Sequence, residues 1–131
     1  MSMSPAASLA SLTRYFTSSA DQARPSAWAV SLHTGAPGNN GVDNEVTDSG
    51  YARQSAQFQI DNSDPVGPTA VNSATIAFPV AQAGYTATHV VVWDATNNQP
   101  LAIQRLVTDK IIAGGQQAQF TPSQLKIGGR N

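Results

Sequence analysis

From residue 26 onward, apolar and polar residues alternate with a period of two, the spacing that sends successive side chains to opposite faces of a strand. The pattern is clearest where Trp28, Val30 and Leu32 alternate with Ala29, Ser31 and His33. It recurs where Ala74, Ile76, Phe78 and Val80 alternate with Thr75, Ala77 and Pro79, the proline marking an edge or a strand end. Ala52 to Ile60 predicts a strand with Ala56, Phe58 and Ile60 facing in, broken by Asp61-Asn62-Ser63-Asp64-Pro65. Tyr85 to Asp94 is the most β-prone run, apolar on both faces from Val90 to Trp93, and predicts a central strand. Asn97-Asn98 supplies a turn, and Leu101 to Val107 the returning hairpin partner, with Arg105 interrupting the pattern at a bulge or where the strand leaves the core. Ile111-Ile112 with Gly114-Gly115 predicts a further turn, and Gln116 to Phe120 a last strand continuing into Leu125 and Ile127.

The first 25 residues follow another period. Ser4-Pro5 suits a helix start, and Leu9, Leu12 and Phe16 form a narrow apolar stripe at helical spacing. Such a helix is expected as a lid on a sheet edge or as an arm gripping a neighbouring subunit. Together these elements predict a mainly β chain: a single antiparallel β-sandwich of jelly-roll or immunoglobulin-like character over 26–131, preceded by an arm and short helix over 1–25. At 131 residues one core is expected.

Between the first two strands lies Gly35 to Gly50, rich in Gly, Asn and Asp and longer than a connection inside a compact domain usually is. The candidate partner-binding residues are Asn39, Asn40, Asp43, Asn44, Glu45 and Asp48 of this loop, with Tyr51 and Arg53 of the returning strand. Asp43, Glu45 and Asp48 lack the order of ligands of an EF-hand, so they are expected as loop carboxylates and no metal or cofactor is assigned. Shortening Asn39 to Asp48 is expected to spare the fold and weaken assembly.

No catalytic set emerges. His33 and His89 have neither a zinc-binding pattern nor a third group in sequence reach, and both are expected as structural histidines. Ser31 shares a strand face with His33, yet no nucleophile elbow or oxyanion loop accompanies it. Trp28, Trp93, Tyr51 and Tyr85 are candidates for a sugar-binding platform, but core packing explains the tryptophans equally well.

Composition points to assembly. Charged residues make up 11% of the chain, against roughly 25% in an average soluble protein, and hydrophobic residues 40%. So lightly charged a surface fits a protein covered by neighbours. A net charge of −1 with scattered basic residues gives no footprint for nucleic acid. Cysteine is absent, which excludes disulfides and thiolate chemistry. The N-terminal sequence has no secretory pattern, and no apolar run is long enough to span a membrane as a helix.

Four motifs carry a resemblance. Leu32-His33-Thr34-Gly35-Ala36-Pro37-Gly38, Asn44-Glu45-Val46, Gly50-Tyr51-Ala52-Arg53-Gln54 and His89-Val90-Val91-Val92-Trp93-Asp94-Ala95 occur in the order seen in a family of small bacteriophage virion proteins often labelled tail-fibre-like. The similarity runs from about Leu9 to Ile127, with Gly35-Ala36 where Ala-Asp is common and Trp93 where Phe is common. The resemblance implies a non-enzymatic virion structural protein. Its compact length, without heptads or shaft repeats, favours a capsid cement or decoration protein. Such a protein sits on the capsid surface after assembly in the host cytoplasm, bridging major capsid protein subunits and pairing with copies of itself as a dimer or trimer. The alternative is a tail-fibre or tail-tip component recognising a host glycan.

Overall fold

The computed structural model of the chain describes residues 2–4, 24–63 and 67–128. The helix expected around Leu9, Leu12 and Phe16 lies outside them. The described residues are mainly β, with ten strands, antiparallel pairing throughout and no helix. In chain order the strands are β1 (Ser2–Met3), β2 (Trp28–His33), β3 (Gln54–Ala56), β4 (Phe58–Asp61), β5 (Thr69–Asn72), β6 (Ile76–Ala77), β7 (Gly84–Asp94), β8 (Gln99–Ala113), β9 (Gln119–Phe120) and β10 (Lys126–Gly128).

The five-stranded sheet has the order β1-β8-β7-β2-β3, which puts the apolar β7 at its centre as expected. Paired residues of neighbouring strands share a face. Val30 opposite Val92 and Leu32 opposite Val90 point into the core. Ser31 opposite Val91 and His33 opposite His89 point to the other face. At the end of β7, Asp94 accepts the Thr96 and Asn97 backbone N–H groups at 2.9 and 3.0 Å and Asn97 Nδ2 at 2.7 Å, and this closes the β7–β8 turn at the expected Asn97-Asn98.

A three-stranded sheet, β10-β5-β4, and the pair β6-β9 complete the described structure. Three expectations shift here. The single strand expected from Ala52 to Ile60 is two, because at Gln57 the chain leaves β2 for β5. Ala56 stays inward, but the change of sheet turns Ile60 out to 67% exposure. From Ala74 to Val80 only Ile76–Ala77 is strand; Ile76 and Phe78 are buried as expected, whereas Ala74 and Val80 are exposed. Finally β8 runs to Ala113, so Ile111-Ile112 is strand and only Gly114-Gly115 turns.

One buried side chain ties the three-stranded sheet to the β6–β9 pair. Asn72 Nδ2 shares its protons among the carbonyls of Ala74, Phe120 and Thr121 at 3.0, 3.2 and 2.9 Å, while Oδ1 accepts Leu125 N–H at 2.9 Å. Every polar group there is satisfied, as burial requires. Between the five- and three-stranded sheets an apolar groove of about 560 Å³ is lined by Trp28, Phe58, Leu101, Ala102 and Ile127 among others.

Candidate assembly loop

The loop following β2 is built into the fold. β3 pairs with β2 only from Trp28 to Val30, which leaves the edge of Leu32 and His33 to be covered by something else. The loop covers it. Val46 N–H bonds the Leu32 carbonyl at 3.0 Å, His33 bridges Glu45, and Thr34 N–H reaches the Asn44 carbonyl at 2.8 Å. The Leu32 N–H is taken by the Tyr51 hydroxyl at 3.1 Å.

The same loop folds back over the outer face of the sheet. Beneath it a chain of hydrogen bonds joins three buried side chains: Trp93 Nε1 donates to Ser31 Oγ at 2.8 Å, and Ser31 Oγ lies 2.8 Å from His33 Nε2. His33 Nδ1 is 2.7 Å from the Asp43 carbonyl, an acceptor only, so Nδ1 carries the proton and Nε2 accepts from Ser31. The imidazole is thereby held neutral, and burial pushes its pKa below the ordinary value against the opposing pull of the Asp43 carbonyl and Glu45. Ser31 and His33 are both 0% exposed, so this pair has no open face on which to attack a substrate.

Gly41 closes the tip of the loop onto Pro100, Val91 and Trp93. A Cβ there would lie 3.1, 3.3 and 3.4 Å from these side chains, and its φ of +73° is one that favours glycine. Arg53 covers the rest of the indole, its guanidinium carbon 4.1 Å from the Trp93 ring centroid. Glu45 takes the edge of that guanidinium at 2.8 Å from Nε and 2.9 Å from Nη2, and also accepts the Tyr51 hydroxyl at 2.7 Å. Burial disfavours the charge on Glu45, but the bonds from Arg53 and Tyr51 outweigh it and hold the carboxyl below its usual range. Tyr51 itself stacks on Phe78, its ring centroid 6.0 Å away, and meets Tyr85 edge-on.

Asp48 fastens the other end. Oδ1 accepts Gly50 and Gln82 N–H at 2.8 and 2.9 Å, and Oδ2 accepts Ala83 and Gly84 N–H, both at 2.9 Å. Four backbone donors, Gln82 foremost, hold its pKa down to about 2. One carboxylate thus pins the loop to the start of β7.

The eight candidate residues therefore divide. Glu45, Asp48, Tyr51 and Arg53 are engaged in holding the loop, and Asn44 is spent partly the same way, its Nδ2 donating to the Ala36 carbonyl at 2.9 Å. Asn39, Asn40 and the Asp43 side chain remain on the exposed crown, joined by Val42 at 51% exposure. Removing Asn39 to Asp48 would strip the cover from Ser31, His33 and Trp93, so the expectation that shortening spares the fold does not hold. Among the described residues, no three His, Asp or Glu side chains are grouped to hold a metal ion. The four aromatics do not form one open platform: Trp93 is buried, Tyr51 and Tyr85 pack on each other, and Trp28 lines the groove.

Sequence reasoning placed Ser31 and His33 on one face but missed their link to Trp93, which lies 62 residues from Ser31 in the chain. It also took Asp48 for a loop carboxylate. The local signal was Asp-x-Gly, the pattern of a side chain that bonds its own backbone two residues on; nothing marked the donors of 82–84. In comparison with known families, residues 2–128 match the model of the family described as Podophage GP4 fiber I protein gp80. No curated protein matches the chain.

Proposed function

Because the chain belongs to this family of phage virion structural proteins, we propose that it is a non-enzymatic module of a podophage fibre, built into the particle through the crown of its loop. The match over nearly the whole length carries the reading, and the description of that family as a fibre protein favours the fibre over the capsid shell. The side-chain chemistry supports it. The side chains of Ser31, His33, Glu45 and Asp48 are occupied by internal hydrogen bonds. What faces outward is a polar crown of Asn39, Asn40 and Asp43 with Val42, set on a fastened base and suited to contacts with copies of itself or other virion proteins.

The rival is the shell position, a cement protein bridging major capsid protein subunits; its support is the compact chain without shaft repeats. Gold-labelled antibodies raised against the purified chain and applied to intact virions separate the two. Labelling on fibres is expected, and labelling spread over the shell would overturn the proposal. The crown is tested separately: Asn39→Lys with Asn40→Lys should leave the purified fold unchanged and lower incorporation into particles. Normal incorporation would move the contact elsewhere.

A further inference from the structure

The two ends of β2 are used differently. At His33 the strand feeds the loop described above; at Trp28 it opens onto a cleft of about 400 Å³, to which no described residue of that loop contributes. The cleft follows from the change of sheet. β3 pairs with β2 as far as Ala56 opposite Trp28, and at Gln57 the chain departs for β5. The Gln57 carbonyl then accepts Ser73 N–H at 2.9 Å, which brings Ser73 to one wall, and the Ala27 carbonyl accepts Ala95 N–H at 2.9 Å, which closes the other. Small side chains span the gap. Trp28 and Phe58 are bordered by Ser26, Ser55, Gln57 and Ser73 and otherwise by alanines.

The cleft combines an aromatic surface with unspent neutral polar groups. Among the described residues, no hydrogen bond engages the side chains of Ser55, Gln57 or Ser73, or Nε1 of Trp28. Ser55, Gln57 and Ser73 are exposed, and the half-buried Trp28 does not have its Nε1 sealed from solvent. No charged side chain is among the described lining residues, so nothing there selects an anion or a cation. We propose that this cleft binds a neutral sugar residue, its ring laid against Trp28 and its hydroxyls bonded by Ser55, Gln57 and Ser73. A sugar ring presents a face of C–H groups to an aromatic surface and a rim of hydroxyls that both donate and accept, as serine hydroxyls and a glutamine amide do. The volume lies within the roughly 300–1,000 Å³ of small-ligand clefts. An extended peptide would need a long open strand edge, and β3 offers three residues before the chain turns away. A purely apolar ligand is better matched by the neighbouring groove beside Ile127 and Leu101.

The site goes beyond the assembly role, because it gives the chain a ligand of its own on a surface apart from the crown of Asn39 and Asn40. Its test uses purified full-length protein labelled with ¹⁵N and titrated with N-acetylglucosamine, galactose and rhamnose. At least one should bind saturably with a Kd of about a millimolar, the strength expected of so small a ligand. Binding should shift the Trp28 indole N–H and the amides of Ser55, Gln57 and Ser73, while those of Asn39 and Asn40 stay still. Trp28→Ala should abolish the shifts. Because Trp28 also packs against the core, Ser73→Phe supplies a second arm: at an exposed position it fills the cleft, spares the fold and should weaken binding about tenfold or more. No saturable shift with any of the three sugars up to about 50 mM, shifts confined to residues outside the cleft, or undiminished binding by folded Ser73→Phe would each overturn the proposal. Fibre labelling combined with any of these results would keep the proposed function and discard this site; sugar binding combined with shell labelling would do the reverse.

Discussion

Replacing Ser31 with alanine should destabilise the protein severely for a change of one oxygen atom. The hydroxyl accepts from Trp93 Nε1 and donates to His33 Nε2, both at 2.8 Å, with Ser31 and His33 fully buried and Trp93 nearly so. Its removal leaves a buried donor and a buried acceptor without partners, each costing about 1–3 kcal/mol, so about 2–6 kcal/mol in all. For a chain of this length that corresponds to a fall in Tm of roughly 8 °C or more. Urea unfolding followed by tryptophan fluorescence measures the loss directly. A second arm isolates the cause: Trp93→Phe should cost less in the Ser31→Ala background than in the native chain, because the indole N–H is already unpaired there. A loss below about 0.5 kcal/mol, or strict additivity of the two changes, would refute the network as a source of stability.

Lowering the pH should weaken the fold in two windows. Burial depresses the pKa of His33, so the unfolded chain binds that proton first and stability declines as pH falls below about 6.5; unfolding free energies flat from about pH 7 to 5 in the native chain would contradict it. The carboxyl of Asp48 is held at about 2, so its contribution is present above an unfolded value of about 3.9 and is lost as pH falls from there toward 2. Asp48→Ala should free the N–H groups of Gly50, Gln82, Ala83 and Gly84, and hydrogen exchange at these amides should accelerate while that of Val91 stays slow; uniform exchange across the chain would sink the idea. Gly50→Ala should cost about 1–3 kcal/mol or more in urea unfolding, because its Cβ would collide with the Val80 carbonyl oxygen unless the backbone moved.

Strands were legible where one face is buried and the alternation is local. β2 and β7 appear in the sequence as they appear in the structure because Val30, Leu32, Val90 and Val92 report a single apolar face directly. The sheet switch at Gln57 was not legible, since a period of two continues across a change of partner and does not say which sheet each half joins. Likewise β8 was expected to end at Val107, because exposed Val107 and Ile111 break the pattern that burial writes. The loop was recognised by its length and glycines. Its use as a cover for the edge of β2 and for Trp93 depends on contacts made across the chain, and the charges of Glu45, Asp48 and Arg53 look the same in sequence whether they face water or one another.

The most direct test of the chain as a fibre module is a localised electron cryo-microscopy reconstruction of the intact virion. The expected result is density for this β fold repeated along the fibre, with Asn39, Asn40 and Asp43 at a contact between protein chains. The same fold found on the shell between major capsid protein subunits, or absent from the fibre, would contradict it.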